Sequence, residues 1–254
     1  MKKVQDFKVK SYNWLNDSSY VITLRSDSDV ASILPGNFAE VEVPNASDVF
    51  LRRPLSILDV DYEKRTVSFY IKIIGKGTRR LGAYNEGDDI SIIYPLGNSF
   101  AANKSKKALI VGGGSGIAPF ILLARELQKE GTDITFLFGA RTAGEIVLTE
   151  EFEKYGKILV TTEDGSLGEK GLVTQHSVFA GSLEFDRIYT CGPDPMMKAI
   201  AKIAQEKGIP CDASLENMMA CGFGACLCCV TETTTGNKCV CTEGPVFNVN
   251  ELAW

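Results

Sequence analysis

Histidine is nearly missing from this chain: His176 is the only one in 254 residues. A histidine-based triad or acid–base mechanism therefore has little material. His176 falls in a stretch that reads as helical and is expected to be a surface or structurally satisfied side chain. Long apolar runs are missing too, since no stretch reaches the roughly 20 residues that span a bilayer. The opening Met1-Lys2-Lys3 leads into the alternating Val4-Gln5-Asp6-Phe7-Lys8-Val9-Lys10 and not into an apolar segment, so no secretory signal is expected. Positive charge is outnumbered, 27 Lys and Arg against 32 Asp and Glu: the net charge is −5, and clusters such as Lys104-Ser105-Lys106-Lys107 are short, which argues against nucleic acid as a principal partner.

Cysteine, by contrast, is abundant, with eight residues concentrated toward the C-terminus. Without an expected leader, this usage points to metal or redox chemistry in a reducing cytoplasm better than to a disulfide framework. Cys221, Cys226 and Cys229 read C-x4-C-x2-C, with a more distant cysteine following, which is the plant-type ligand spacing for a [2Fe–2S] cluster. The intervening Gly222, Gly224 and Ala225 allow backbone N–H groups to approach negatively charged sulfur. Four thiolates also satisfy a structural zinc ion, but zinc knuckles come as two short C-x(2–4)-C pairs, whereas three of these ligands lie in one tight loop. Cys229 and not Cys228 keeps the x2 interval after Cys226, while spacing leaves Cys239 and Cys241 open as the distant ligand.

The length of the chain accommodates two compact units and a small third one. The first hundred residues carry short β-type segments, Tyr20 to Leu24, Phe38 to Val43, Val67 to Ile74 and Ile90 to Tyr94, punctuated by turns such as Asn85-Glu86-Gly87-Asp88. Short strands without long amphipathic helices predict a small antiparallel barrel with a rim that can hold a flat cofactor. From Lys107 the period changes. Ala108 to Val111 reads as a buried strand, Ile117 to Lys129 as a helix, and further strands follow at Ile134 to Phe138, Ile158 to Thr161 and Arg187 to Thr190, with a helix from Met196 to Lys207. Alternating strands and helices predict a parallel, doubly wound sheet. After Asp212 regularity declines and cysteine density rises. The expected organisation is α/β plus β, with a barrel over 1–102, a doubly wound nucleotide-binding domain over 103–212 and a small C-terminal module over 213–254.

Gly112-Gly113-Gly114-Ser115-Gly116-Ile117 lies between a predicted strand and a helix, where bare backbone can approach a pyrophosphate. It departs from the strict G-x-G-x-x-G frame, and a tight turn with no ligand is the plain alternative. Arg53-Pro54-Leu55-Ser56 and Gly75-Lys76-Gly77-Thr78, each taken alone, also read as surface or hairpin segments. Together with Cys191-Gly192-Pro193-Asp194-Pro195-Met196, these motifs stand in the order found in ferredoxin-NADP reductase-like flavoproteins, and the resemblance spans nearly the whole chain. The C-terminal text, Glu216-x-x-Met219-x-Cys221 through Cys229 and Val240-Cys241-x-Glu243-Gly244-Pro245-Val246-Phe247, resembles the electron-transfer subunits of NAD-linked bacterial dihydroorotate dehydrogenases.

This resemblance implies an FAD-binding barrel, an NAD-binding domain and a [2Fe–2S] module. Arg53, Pro54, Leu55 and Ser56, with Tyr70, Ile71 and Lys72, would form the flavin wall, and Gly77 and Thr78 would present N–H groups to its pyrophosphate at a helix start. Gly114, Ser115 and Gly116, with Cys191, Gly192 and Pro193, would bind the nicotinamide cofactor, Cys191 as a wall residue and not a nucleophile. The metal ligands would be Cys221, Cys226, Cys229 and, on the resemblance alone, Cys241. The implied partner is an FMN-containing catalytic subunit that oxidises dihydroorotate, two of each chain together, serving pyrimidine biosynthesis in the cytoplasm. Competing readings are a related diaphorase subunit of a ferredoxin:NADP oxidoreductase, sulfide dehydrogenase or hydrogenase, and a zinc-stabilised nucleotide-binding module. No clear acidic ribose ligand follows the glycine loop, and Arg141 alone defines no 2′-phosphate pocket. The pairs Met196-Met197 and Met218-Met219 are expected in cores, and a role for Trp254 at the flavin is not expected.

Overall fold

The computed structural model describes residues 2–43, 48–102 and 105–254; Met1, Lys104 and the expected domain boundary at 103 lie outside them. Seven strands build the first layer: β1 (Lys3–Asn16), β2 (Ser19–Arg25), β3 (Phe38–Val41), β4 (Arg53–Ser56), β5 (Asp59–Asp61), β6 (Thr66–Lys72) and β7 (Asp89–Leu96), with the short helix α1 (Lys76–Leu81) between the last two. They pair antiparallel in the order β4-β3-β7-β1-β2-β6-β5. The sheet curls because β1 pairs β7 along its first half and β2 along its second, with register shifts at Val9/Ser11 and Trp14/Asn16 that bend the strand. Alternation places Tyr20, Ile22 and Leu24 of β2, Val67, Phe69 and Ile71 of β6 and Ile90, Ile92 and Tyr94 of β7 in one buried core. The expected antiparallel unit is present as this curled sheet. The long first strand was not anticipated: its outward residues are mostly charged or polar, and only Phe7 and Val9 enter the core.

The second layer is a parallel sheet of β8 (Lys107–Gly113), β9 (Asp133–Ala140), β10 (Lys157–Thr162), β11 (Glu169–Lys170), β12 (Arg187–Cys191) and β13 (Cys211–Ser214), with helices α2 (Phe120–Lys129), α3 (Thr149–Glu153) and α4 (Asp194–Lys207). The order β11-β10-β9-β8-β12-β13 reverses direction between β8 and β12. In such sheets ligands bind beyond the carboxyl ends of the strands at this reversal. The glycine turn after β8 sits there. The helix expected from Ile117 begins instead with a 3-10 turn, Gly114–Ile117, because Pro119 lacks the N–H that a continuous α-helix needs and the regular helix starts at Phe120. The helix expected around His176 is absent: His176 joins two single 3-10 turns, Val173–Gln175 and Ser177–Phe179, and its Nδ1 accepts the N–H of Val178 at 2.9 Å. Buried, with Nε2 3.3 Å from Glu169, it is locally satisfied.

The cysteine-rich segment forms a hairpin, β14 (Val230–Thr233) and β15 (Gly236–Cys239), then one helical turn α5 (Val240–Glu243) and a last strand β16 (Val246–Asn248). β16 pairs antiparallel with β13 and so adds the seventh strand to the second sheet. Cys229, Val240, Cys241 and Phe247 accordingly share one core with Leu109, Val111, Ile188 and Ile200 of the parallel layer and with Phe38 and Leu96 of the curled sheet. Asn98, just past β7, fastens the junction. Its side-chain amide donates to the carbonyls of Glu243 at 2.8 Å and Val246 at 2.7 Å, its Oδ1 accepts the N–H of Val246 at 2.9 Å, and its own N–H donates to the carbonyl of Gly244. Among the described residues no helix is long and apolar enough to cross a membrane.

Arg187 on β12 and Asp212 on β13 are 15% and 8% exposed and 2.6 Å apart. Arg187 also lies over the Tyr189 ring, 5.6 Å from its centre, so loss of Asp212 removes a charged hydrogen bond without stranding the guanidinium. Asp212→Ala is therefore expected to destabilise the cofactor-loaded protein by about 2 kcal/mol, seen as a lower midpoint in urea unfolding followed by circular dichroism; an unchanged midpoint would show that the pair is neutral.

Candidate functional site

Two cavities flank the glycine turn. The first, of 290 Å³, lies between the layers and is lined by Arg53 to Ser56, Tyr70 to Lys72, Thr78, Ser115 and the stretch Ser214 to Met219. The expected flavin-wall residues therefore converge on one cavity, although they come from β4, β6 and α1. β4 is held by β3, with Glu40 opposite Pro54 and Val41 opposite Arg53. Arg53 donates through one guanidinium nitrogen to the carbonyls of Leu51 and Arg52 at 2.7 and 3.1 Å. Its Nε lies close over Gly77, where a Cβ would approach it to 2.4 Å and the arginine would have to shift. The helix starts at Lys76, earlier than expected. The Thr78 hydroxyl is used locally, accepting the N–H groups of Ile74 at 3.1 Å and Gly75 at 3.3 Å. The first intrahelical bond runs from the N–H of Arg79 to Gly75 at 3.1 Å, so the Lys76, Gly77 and Thr78 N–H groups precede the ladder on the side where Arg53 lies.

The second cavity, of 400 Å³, opens beyond the carboxyl ends of β8, β9 and β10 and is lined by Gly113, Gly114, Gly139 to Arg141, Glu145, Glu163, Gly171 to Thr174, Pro193, Pro195 and Met196. The three residues of the expected Gly114-Ser115-Gly116 motif face different ways. Gly114, at φ +58°, lines the second cavity with no neighbour over its Cα, and Ser115 lines the first. Gly116 instead packs against β12, where a Cβ would stand 2.3 Å from the Cys191 carbonyl oxygen. Lys72 reaches both cavities and is held by Glu145 at 2.9 Å, while Arg141 bonds the other oxygen of the same carboxylate at 2.8 Å.

Pro193 lines the second cavity, but Cys191 and Gly192 line neither. Cys191 is fully buried, and its Sγ lies 3.8 Å from Oε1 of Glu216. Burial, helped by the neighbouring Glu216, pushes the thiol well above its ordinary range, which matches a packing role and not a nucleophile. Burial likewise raises the Glu216 carboxyl. Glu216 lines the first cavity and stands at the head of the loop that carries the cysteines, so the loop's approach is itself a cavity wall. Its sequence signal was the Glu216-x-x-Met219-x-Cys221 text, which marks a carboxyl shortly before the cysteines but not its orientation.

The loop Met219 to Cys229 turns through residues with positive φ: Gly222 at +74°, Gly224 at +87° and Leu227 at +58°. Those turns direct backbone N–H groups at sulfur. Burial opposes ionisation of Cys221, but the N–H groups of Phe223, Cys226 and Ala225, with the Cys226 thiol, lower it to about 6. The N–H of Cys228 reaches Sγ of Cys226 at 3.5 Å, and the N–H of Cys241 reaches Sγ of Cys229 at 3.4 Å. Cys241 is raised by burial and by its neighbour Cys229. Cys229 and Cys241 are buried side by side, while Cys221 and Cys226 lie nearer the surface. Among the described residues no three His, Cys, Asp or Glu side chains gather around a single point that one metal ion would occupy. Cys228 is exposed, and Cys239 lies partly buried with its N–H on Glu243. Met197 and Met219 are in the core as expected, whereas Met218 is 84% exposed at the rim of the first cavity. Trp254 lies under the Lys198 amine, 6.0 Å from its ring centre, and lines neither cavity.

Two adjoining cavities at a sheet reversal, with a sulfur-rich loop at one wall, define a two-layer redox protein of the ferredoxin reductase type. The model for the iron-sulfur cluster binding domain of dihydroorotate dehydrogenase B matches residues 216–253, and that for an oxidoreductase NAD-binding domain matches residues 110–202. The electron transfer subunit of dihydroorotate dehydrogenase B (NAD(+)) from Bacillus caldolyticus is 38% identical over 250 residues, 96% of each chain. That from Caldanaerobacter subterraneus subsp. tengcongensis is 41% identical over 223 residues, 86% of each chain. Among solved structures, the NADH-dependent reduced ferredoxin-NADP oxidoreductase superposes with a TM-score of 0.88 at 31% identity, covering 98% of this chain and 90% of the other. The chain belongs to the family of dihydroorotate dehydrogenase B (NAD(+)) electron transfer subunits.

Proposed function

We propose that the chain carries electrons from a catalytic subunit that oxidises dihydroorotate to NAD, within pyrimidine biosynthesis. Its cofactors are FAD, a [2Fe–2S] cluster and NAD. The observation that carries the reading is the shared wall: the stretch Ser214 to Met219 lines the first cavity and leads directly into the cysteine loop, so the two sites adjoin. FAD, when bound, supplies the exchange between the two-electron chemistry of a nicotinamide and the one-electron chemistry of an iron–sulfur cluster. The residues proposed to hold FAD are Arg53 to Ser56 and Tyr70 to Lys72, with Arg53 and the Gly77 and Thr78 N–H groups at its phosphates. Cys221, Cys226, Cys229 and Cys241 are the proposed iron ligands, with loop N–H groups offsetting thiolate charge. Gly114 gives a dinucleotide close access to the backbone, and Gly116 lets that turn approach β12. Domain boundaries at 102/103 and 212/213 belong to the same reading, although the second falls within β13 and β16 of the third unit completes the sheet of the second.

The partner is proposed to carry FMN and to assemble as two of each chain in the cytoplasm. Apolar side chains around the first cavity and on the cysteine loop, Ile74, Met218, Phe223 and Leu227, are 51% to 85% exposed, which suits a protein surface docking there. Preference for NAD is supported by the second cavity: Lys72 and Arg141 are both already paired with Glu145, and Glu163 adds a second carboxylate, a poor setting for a 2′-phosphate.

The central test is isolation of the chain with its native partner, followed by a dihydroorotate:NAD assay and cofactor analysis. Dihydroorotate-dependent NADH formation is expected; a partner with no dihydroorotate activity would instead place the chain among ferredoxin-linked diaphorases, like its solved structural neighbour. Cys226→Ser is expected to lose most of its iron, with the EPR signal of the reduced protein, while keeping FAD absorbance; iron content at the wild-type level would reject Cys226 as a ligand. Glu163→Arg is expected to raise kcat/KM for NADP relative to NAD by about tenfold, or 1.4 kcal/mol, in a diaphorase assay, and an unchanged ratio would remove Glu163 from the specificity argument.

A further inference from the structure

Glu40 is the most unusual carboxyl in the chain. It lies on β3 opposite Pro54 of the flavin-side strand, is 0% exposed, and neither of its carboxyl oxygens has a hydrogen-bond partner among the described residues. A buried polar atom without a partner costs about 1–3 kcal/mol, more for a charged one, so such a group calls for a physical explanation. The two nearby arginines do not supply it. Arg52 directs its nitrogens to the carbonyls of Glu40 and Ser91 and to the side chains of Glu42 and Ser91, and Arg53 turns to the carbonyls of Leu51 and Arg52 and lies over Gly77. The side chain points across the seam between the layers instead. A Cβ on Gly222 would meet Cγ of Glu40 at 2.6 Å and Oε1 at 3.1 Å, so the residue after Cys221 is packed directly on this carboxyl. With Gly222 at φ +74°, the loop can pass over the carboxyl only with a glycine there.

We propose that Glu40 sets the reduction potential of the iron–sulfur site, as an unquenched carboxylate held between the flavin-side strand and the cysteine loop. The proposal rests on the reading of the four cysteines as cluster ligands. A negative charge in a dry seam beside the loop makes an added electron there less favourable, and low dielectric magnifies the effect. Lowering the potential at this point favours onward passage of electrons toward the flavin side. Burial raises the Glu40 carboxyl to about 7, with the Cys221 thiol adding to the rise and Arg52 and Arg53 opposing it, and an alkaline medium favours its ionised form.

The test uses cofactor-loaded protein and EPR-monitored redox titration at pH 9. Glu40→Gln, nearly isosteric and neutral, is expected to shift the one-electron equilibrium at least tenfold toward the reduced cluster, a rise of 59 mV. Glu40→Met removes charge and polar atoms together. It is expected to raise the potential in the same direction and also the thermal midpoint, since no orphan carboxyl remains buried. Glu40→Asp, which keeps the charge, is expected to return the potential toward that of the wild type. Wild-type potentials in both neutral variants, with intact EPR signals, would overturn the proposal and leave the cluster reading standing. Absence of a two-iron signal from the wild-type protein would overturn that reading and this inference with it.

Discussion

The side chain of Asn98 occupies the junction on which the rest of the arrangement depends. With both faces of its amide and its own N–H, it binds Glu243, Gly244 and Val246, joining the end of the curled sheet to the segment between the last cysteine and the last strand. A single polar side chain can do this because a primary amide donates and accepts at once, matching a strand's carbonyl and N–H. Leu215 adds a backbone bond to the carbonyl of Pro245 at 2.9 Å, so the approach to the cysteine loop and its exit are tied to each other. The curled sheet, the parallel sheet and the loop are thereby held in one register, and the wall shared by cavity and loop follows from it.

The glycine turn shows how one short motif serves two neighbours. Gly114 faces one cavity, Ser115 the other, and Gly116 faces neither but lets the turn sit against the Cys191 carbonyl. Lys72 repeats the pattern at side-chain scale, reaching both cavities from β6 while anchored to Glu145 across the layers. Lys72 thus belongs to the walls of both cavities and the turn joins them through its backbone, so a change at either alters the surroundings of both.

Much of this was legible in the sequence. Alternation in Ile90-Ser91-Ile92-Ile93-Tyr94 and the apolar run Ala108 to Val111 reported the two kinds of sheet, because half-buried and fully buried strands leave different patterns. The residues expected to form a flavin wall line one cavity, and the signal that groups them is the order of motifs along the chain. What was hidden depends on direction and long-range contact. Gly116 and Ser115 are adjacent in sequence and face different surroundings; the helical look of the His176 region reflected local propensity that two 3-10 turns satisfy equally well; and nothing in Phe38-Ala39-Glu40-Val41 announces that Glu40 points inward beneath Gly222, far along the chain. An alternating strand places every second residue inside, but Phe38 to Val41 is buried on both faces, which removes the clue.

The strand Val246–Asn248 completes the parallel sheet although it follows the cysteines in the chain. The inner thiols Cys229 and Cys241 share their core with Phe247 of that same strand. Unpairing three residues would therefore open β13 as a free edge and uncover both thiols together, so the edge of the sheet and the shelter of the inner cysteines are one contact.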